Sequence, residues 1–343
     1  MSGNASLTGD LILKYRRRWI RRKLLWRAFR SRWALRQVTD NRHVIAPDTI
    51  LGFVTLRNEI MRLPYYLEHY RKLGVGHFFV VDNASDDGSA KFLSRQKDVS
   101  VWHTEASYRG SRFGVDWLNW LMMRHAHGHW AVVADVDEAL IYPDWSDRPL
   151  AELTNWLDSQ KRPMMGALML DMYPKGSPDQ QSYTPGDDPF SLLNWFDAHG
   201  YWVQRQTKLD SFWVQGGARA RYFFANDPTR APTLNKIPLV KWNRRYAFVN
   251  STHSALPSFL NHTQSVAGQE QVTGVLLHSK FLPGTAARAR EEKARKEHFL
   301  VAERYADYYE KLTDSPDLWC PDSTRFEGWE QLLALGLMSR GNW

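Results

Sequence analysis

The sequence predicts an α/β protein: a mostly parallel sheet flanked by helices and preceded by a basic N-terminal helix. Three observations predict it. Short apolar runs alternate with amphipathic ones between residues 49 and 145, the pattern of strands joined by crossover helices. Three of those runs stop at polar clusters, at residues 57–59, 82–89 and 135–138, and in parallel sheets ligands gather beyond the carboxyl ends of the strands. Residues 11–38 hold neither Pro nor Gly, so one continuous helix is open to them.

That first segment, LILKYRRRWIRRKLLWRAFRSRWALRQV, repeats Ile12, Trp19, Trp26 and Trp33 every seven residues, with Tyr15 and Phe29 three residues after two of them. The spacing sets an aromatic stripe on one helix face among arginines. Basic heads beside interfacial Trp suit a helix lying on an anionic leaflet. Packing against the body or a second copy, with the arginines solvated, is the alternative. Nucleic acid is not the expected partner, because the rest of the chain would repel phosphate.

The elements follow in order. TILGFVTL (49–56) reads as a strand. EIMRLPYYLEHYRKLG reads as a helix ended by Gly74, with Pro64 in its first turn where proline is tolerated. HFFVVD (77–82) is a second strand, SDDGSAKFLSRQ a turn and short helix, VSVWH (99–103) a third strand, and SRFGVDWLNWLMMRHA a helix. WAVVADV is a fourth strand. PMMGALMLDMYP (163–174) holds another. Residues 175–189 are rich in turn formers and predict a long loop. FWVQGGARARYFF (212–224) reads as strand, Gly-Gly turn and strand. VTGVLLHSKFL (272–282) is a late strand, and residues 285–312 form a long charged helix. No internal repeat is visible.

Composition bounds the rest. The chain of 343 residues is 43% hydrophobic and 24% charged, a globular composition sized for one large domain or two smaller ones. Its single cysteine, Cys320, excludes an intramolecular disulfide and fits a reducing compartment. No apolar run approaches the roughly 20 residues of a membrane span, and the first residues lack the apolar core of a secretory signal. The net charge of +8 comes from one end. Residues 1–43 hold 12 Lys or Arg and 2 Asp, which leaves 33 basic and 35 acidic residues in the remainder.

The run Trp130 to Ala134 leads straight into Asp135, Asp137 and Glu138. Carboxylates grouped at the end of a buried strand repel one another unless something binds them or the strand end is open. On an extended chain Asp135 and Asp137 point to the same side, about 7 Å apart at the backbone. A hard divalent cation can meet one or both, with diphosphate oxygens and water completing its shell.

These blocks carry a resemblance. LRNEIMRLPYYLEHYRKLGVGHFFVVDNASDDGS, YRGSRFGVDWLNW and WAVVADVDEALIYP, in that order and spacing over residues 50–145, resemble the family 2-type glycosyltransferases of the GT-A (Rossmann-like) fold, in the bacterial branch that pairs RNE with D-V-D-E. Weaker similarity continues through GGARARYF, LNKIPLVKW, STHSALP and LLHSKF to about residue 285. The N-terminal segment lies outside it. The resemblance implies a metal-dependent hexosyltransferase that moves a sugar from a nucleotide-diphosphate donor, UDP-sugar first, to a glycan or glycolipid acceptor. It implies Asn58, Glu59 and Asp82 at the ribose and base, Arg112 at the nucleotide or phosphates, and Asp135 and Asp137 on Mn²⁺ or Mg²⁺. Glu138 would stand behind that metal or contact the sugar. A late-strand histidine completes such sites, His278 first and His253 as its rival.

Other roles follow beside it. Asp82 can accept from a uracil N–H or ribose hydroxyl, but DNASDD equally supports an Asx-turn, and Asp86 and Asp87 share that ambiguity. Arg219 and Arg221, two apart on the expected strand, with Lys236 and Lys241, could hold the diphosphate or an anionic acceptor. Trp195, Trp202 and Trp213 could stack on sugar or pack in the core. His125, His127 and His129 read as structural, because i, i+2 side chains diverge on a helix. The resemblance calls for a carboxylate base after the metal motif. The usual Glu-Asp pair is absent at that place, and Asp171 is the first candidate, ahead of Asp197 and Asp210. Inversion and retention therefore both stay open.

The chain thus divides into a basic helix (1–45), a nucleotide-sugar-binding α/β half (46–150), an acceptor-binding half (151–285) and a helical end (286–343). A peripheral position on the inner, cytoplasmic face of a membrane is expected. Competing readings are a metal-dependent nucleotidyltransferase and a non-catalytic membrane-surface adaptor. A glycoside hydrolase of the D-x-D-x-E type fails because Ala139 stands where the glutamate belongs.

Overall fold

The computed structural model describes residues 3–264, 270–295 and 306–343. Helix α1 (Gly3–Ser31) leads to β1 (Arg36–Thr39). The alternating segment follows as β2 (Ile50–Leu56), α2 (Leu63–Leu73), β3 (Val75–Asp82), α3 (Ser89–Leu93), β4 (Val99–His103), α4 (Val115–His125) and β5 (Trp130–Val133). Then come β6 (Glu138–Ile141), α5 (Leu150–Ser159), β7 (Met164–Asp171), α6 (Pro189–Leu192), β8 (Trp195–Phe196), β9 (Trp202–Gln206), β10 (Ser211–Gln215) and β11 (Asn235–Lys241). The last elements are β12 (Ala247–Phe248), β13 (Ala255–Leu256), β14 (Gly274–His278), α7 (Thr285–Arg295), α8 (Ala306–Thr313), β15 (Thr324–Arg325) and α9 (Trp329–Ala334).

One sheet organises the molecule, in the order β1-β4-β3-β2-β5-β11-β7-β14-β6. β2, β3, β4 and β5 are parallel neighbours, and β7 and β14 run the same way; β1, β11 and β6 run against them. Strands on both sides of residue 150 share this sheet, so the two expected halves are one body. Alternation along each strand fills both faces. Val54, Val80 and Val132 pack with Leu67, Tyr70 and Leu153 on one face. Phe53, Phe79 and Val133 pack with Trp117, Leu121 and Met122 on the other. Helix α2 ends where expected: Gly74 takes φ 101° and its N–H bonds the Tyr70 and Arg71 carbonyls, a left-handed cap that glycine fills without strain.

Four expectations change. The basic helix starts earlier and stops at Ser31, because Arg36, Gln37 and Thr39 pair antiparallel with β4 and cover its open edge. The fourth strand stops at Val133. The Glu138 N–H bonds the Asp135 carbonyl, and this turn carries the chain to the far edge of the sheet, where β6 pairs with β14. Beyond the Gly-Gly turn there is no second strand. Gly216 has φ 140°, and a Cβ there would lie 2.3 Å from the Gly200 carbonyl oxygen; the chain bends and continues as one π-helical turn, Arg219–Phe223. The charged helix of 285–312 is seen as α7 and α8, with residues 296–305 outside the described residues.

Buried histidines set an acid limit. Burial holds His69 and His77 down to about 4 from 6.5, and both are neutral in the fold. The unfolded chain takes up those protons near pH 6.5, so their stability is full above 6.5 and is lost as pH falls toward 4. About 1–2 kcal/mol apiece should be gone by pH 5. Urea midpoints measured at pH 7.5 and 5.0 should show that fall. A His77→Gln chain should show a smaller one, and equal slopes for the two chains would contradict the assignment.

Candidate functional site

The fold brings strand ends from distant parts of the sequence to one sheet edge. The carboxyl ends of β2, β3, β5, β7 and β14 lie there with the amino ends of β11 and β6. His278 is in register with Asp171 on one side and Glu138 on the other. A cleft of about 790 Å³ opens over this edge. The backbone around it is strained: Asn58, Arg112 and Phe113 have φ of 53°, 56° and 61°, left-handed values costly for the two larger residues. Gly114 follows at φ 76°, with the Thr55 side chain 2.9 Å from where a Cβ would stand.

Asp135, Asp137 and Glu138 offer carboxylate oxygens that all lie within 4.8 Å of one another. Lys236, at the start of β11, answers them. Its Nζ lies 2.8 Å from Asp135 Oδ2 and 2.5 Å from Glu138 Oε1, and Glu138 also accepts from the Asp135 N–H at 3.1 Å. Lys236 and Glu138 are both buried, whereas half of the Asp135 side chain is exposed. Burial works against the Lys236 ammonium, but Asp135 and Glu138 outweigh it and hold the group above its usual range. Burial, with Asp135 and Asp137 beside it, pushes Glu138 up to about 7 against the pull of Lys236.

A second chain of contacts runs from Asp137. His278 Nε2 lies 3.1 Å from Asp137 Oδ2, His278 Nδ1 lies 2.6 Å from Asp171 Oδ1, and Arg219 Nε donates to Asp171 Oδ2 at 2.7 Å. Burial alone would raise Asp137; the facing His278 holds it well below the carboxylate range. Burial would lower His278, and Asp137 and Asp171 reverse that. Asp171 sits at about 2, because Arg219 and His278 overcome its burial. Both oxygens of Asp171 are thus engaged, and it does not line the cleft. That corrects its expected role: the carboxylate lacks an open face toward an acceptor and instead orients His278. Asp197 is bound by Arg221, and Asp210 by Arg205 and His262.

On the nucleotide side the outcome is mixed. Asn58, Glu59 and Arg112 line the cleft; Asp82 and Asp86 do not. Asn58 Oδ1 accepts the Asp86 N–H. Glu59 pairs with the buried Arg62 at 2.9 Å. Arg112 is held by Asp116 at 2.6 Å and donates to the Val249 carbonyl. The Asp82 oxygens go to the Ser85 N–H and His103, and Asp87 accepts from the Ile60 and Ser89 N–H groups. The DNASDD segment is therefore built as turns that engage the Asp82 carboxylate, which corrects its expected cofactor contact, while Asp86 is held by its backbone N–H with its side chain exposed outside the cleft lining.

Arg219 and Arg221 part company, because the π-helical turn points them differently. Arg219 lines the cleft, and its buried Nη2 has no hydrogen-bond partner. Arg221 pairs with Asp197 and the Leu318 carbonyl, away from the cleft, which corrects its expected role. Lys241 sits at the opposite end of β11 with Asp158. Trp213 lines the cleft, while Trp195 and Trp202 do not and are partly buried against a core cluster. His253 lines it too, its Nδ1 2.7 Å from the Asn235 carbonyl, and burial holds it down to about 3. His125 stacks on Phe79, His127 lies by the Arg244 N–H and His129 by the Thr49 carbonyl.

The sequence reading marked Arg57 within the 57–59 cluster without giving it a role and missed Arg62, Arg230, Lys280 and Arg288; all five also line the cleft. Among the described residues the cleft carries eight Arg or Lys against five Asp or Glu, in a body whose acidic residues outnumber its basic ones. Only Lys280, two residues past His278 at a strand end, repeats a spacing the sequence had already marked at Asp135 and Asp137.

No family model and no curated protein matches this chain. Among solved structures, one described as a glucose-1-phosphate thymidylyltransferase from Bacillus anthracis in complex with a sucrose is similar over 77% of this chain and 83% of that one. The identity is 8% and the TM-score 0.31, so this likeness carries no argument about fold or activity.

Proposed function

We propose that this chain is a metal-dependent glycosyltransferase of the GT-A type, taking a nucleotide-diphosphate sugar, UDP-sugar first, and a glycan or glycolipid acceptor. The observation that supports it best is the pairing of one carboxylate cluster with an excess of cations in one cleft at the strand ends. A diphosphate needs both.

Asp135 and Asp137 fit a hard divalent cation, Mn²⁺ or Mg²⁺: they offer oxygen donors within 4.8 Å, and both side chains are partly exposed to the cleft. His278 Nε2 lies beside Asp137, and its other ring nitrogen is anchored by Asp171, the arrangement that orients a histidine ligand. Ligation there requires the Nε2 proton to leave. Such a cation would neutralise the diphosphate as it departs. Lys236 holds Asp135 and Glu138 in place, and Arg219, with Lys280 and Arg288 on the same cleft, meets the phosphate oxygens. In the transfer the bond from the sugar's anomeric carbon to the diphosphate breaks. The nucleoside diphosphate leaves with the electron pair, a bond to an acceptor hydroxyl oxygen forms, and the hydroxyl proton passes to solvent water.

Titration of UDP into the protein with and without Mn²⁺ tests this reading. Metal-dependent binding should appear and should fall by at least about 100-fold in Asp135→Ala/Asp137→Ala, the loss of one to two strong charge-assisted contacts. Binding of a nucleoside triphosphate in place of UDP would favour the nucleotidyltransferase reading. Absence of both, with the melting temperature unchanged, would refute a nucleotide site.

A further inference from the structure

Helix α1 has two faces with different fates. Ile20, Leu24, Leu25 and Ala28 turn inward and pack with Leu209, Ala247, Leu256 and α4. Arg17 reaches the Thr207 and Lys208 carbonyls, and Arg27 bonds Asp116. At roughly 100° per residue Ile12, Trp19 and Trp26 fall on the opposite side, and Trp33 follows in the 3-10 turn Arg32–Ala34 just past the helix. Trp19, Trp26 and Trp33 are 52%, 60% and 79% exposed, with Ile12 and Tyr15 exposed beside them. Arg16, Arg22, Lys23 and Arg30 are exposed on the same helix. The sequence offered packing and surface binding as rivals; the helix is built to do the first with one face and leaves the other apolar and cationic.

We propose that this outer face docks on an anionic phospholipid surface. Three observations select that occupant. Residues 1–43 hold 12 basic and 2 acidic residues, so a second copy of the same face would be repelled and an anionic leaflet attracted. Indoles flanked by Arg and Lys match the headgroup layer, which takes apolar rings and cationic tips together. No helix among the described residues is long and apolar enough to cross a membrane, so the contact lies along the surface. The helix is also no loose tether. Asp116, buried, binds Arg27 on one side and Arg112 of the cleft wall on the other, so lipid docking fixes the cleft at a set distance from the bilayer. This inference stands apart from the reading of the cleft and can survive its failure.

Flotation of the full chain with phosphatidylcholine vesicles, with and without phosphatidylserine, tests it. Co-flotation should require phosphatidylserine, and brominated lipid should quench part of the Trp emission. Trp19→Ser/Trp26→Ser/Trp33→Ser should lose at least about 10-fold in partitioning with its melting temperature kept, since these rings lie on the outer face. Arg22→Gln/Lys23→Gln should lose about five-fold for each charge removed. Failure of the folded wild-type chain to float with anionic vesicles would overturn the proposal. So would binding unaffected by the Trp substitutions, or preferential binding to a DNA duplex.

Discussion

Lys236→Met should unfold this protein more readily than any surface change, at a cost of about 3–5 kcal/mol. The methionine fills the space of the lysine stem, so the loss reports charge and not a cavity. What remains is Glu138, already pushed up to about 7 by burial and now without the cation that opposed it, so it folds only by taking up a proton that the unfolded chain releases near 4.5. Adding Glu138→Gln should recover most of the loss, because a neutral amide has no ionic desolvation to offset. Lys241 supplies the internal comparison. It lies on the same strand and pairs with Asp158 at the same 2.8 Å, but with both side chains about 40% exposed. Lys241→Met should therefore cost under about 1 kcal/mol. Urea unfolding of the four chains decides the matter, and a Lys236→Met chain within 1 kcal/mol of wild type would mean that Glu138 is not held as an ion.

Arg219→Ala should be nearly as damaging, again about 3–5 kcal/mol, and should change the response to acid. In the intact protein Asp171 sits near 2, below its unfolded 3.8, so its stabilisation is present above 3.8 and lost as pH falls toward 2. Without Arg219, burial and one His278 bond remain, and the Asp171 value rises. The acid-unfolding midpoint should then move to higher pH. Asp171→Asn separates the two roles considered for this residue. As an orienting group its loss should weaken metal-dependent binding by about 10–100-fold while the acid side of the rate profile keeps its shape. As a general base its loss should remove the pH-dependence of the rate itself. An unshifted acid midpoint in Arg219→Ala would show that Asp171 has another partner.

Local signals made much of the α/β segment legible. Residues 99–103 form a strand with the bounds the periodicity sets, and Gly74 ends α2 where a left-handed cap was needed. The strand-end positions of Asp135, Asp137 and Asp171 were legible for the same reason: an apolar run that stops at a polar residue marks a sheet edge. His278 was read inside a strand of 272–282, whereas β14 ends on it. Asp82 shows the limit. Its strand-end position was right, but a carboxylate next to Ser85 and His103 is used by its own loop, and no sequence pattern tells an Asx-turn from a ligand contact when one stretch supports both.

By itself the sequence determined most of the strands and helices between residues 49 and 133, the polar clusters at their ends, and that the net basic charge comes from an N-terminal segment with an aromatic stripe. Only the tertiary structure decided which of those ends meet. Lys236 reaches Asp135 across 101 residues, and His278 reaches Asp137 across 141. Their contact depends on β11 entering the sheet antiparallel and on β6 crossing to its far edge. Periodicity records which face of an element is buried, and that face is set by neighbours three or four residues away. Strand order and register are set by long-range pairing, where a one-residue slip reverses every side chain. The physical partners of a buried charge are therefore decided at that second level, and there this chain brought its acidic cluster and its cations into one cleft.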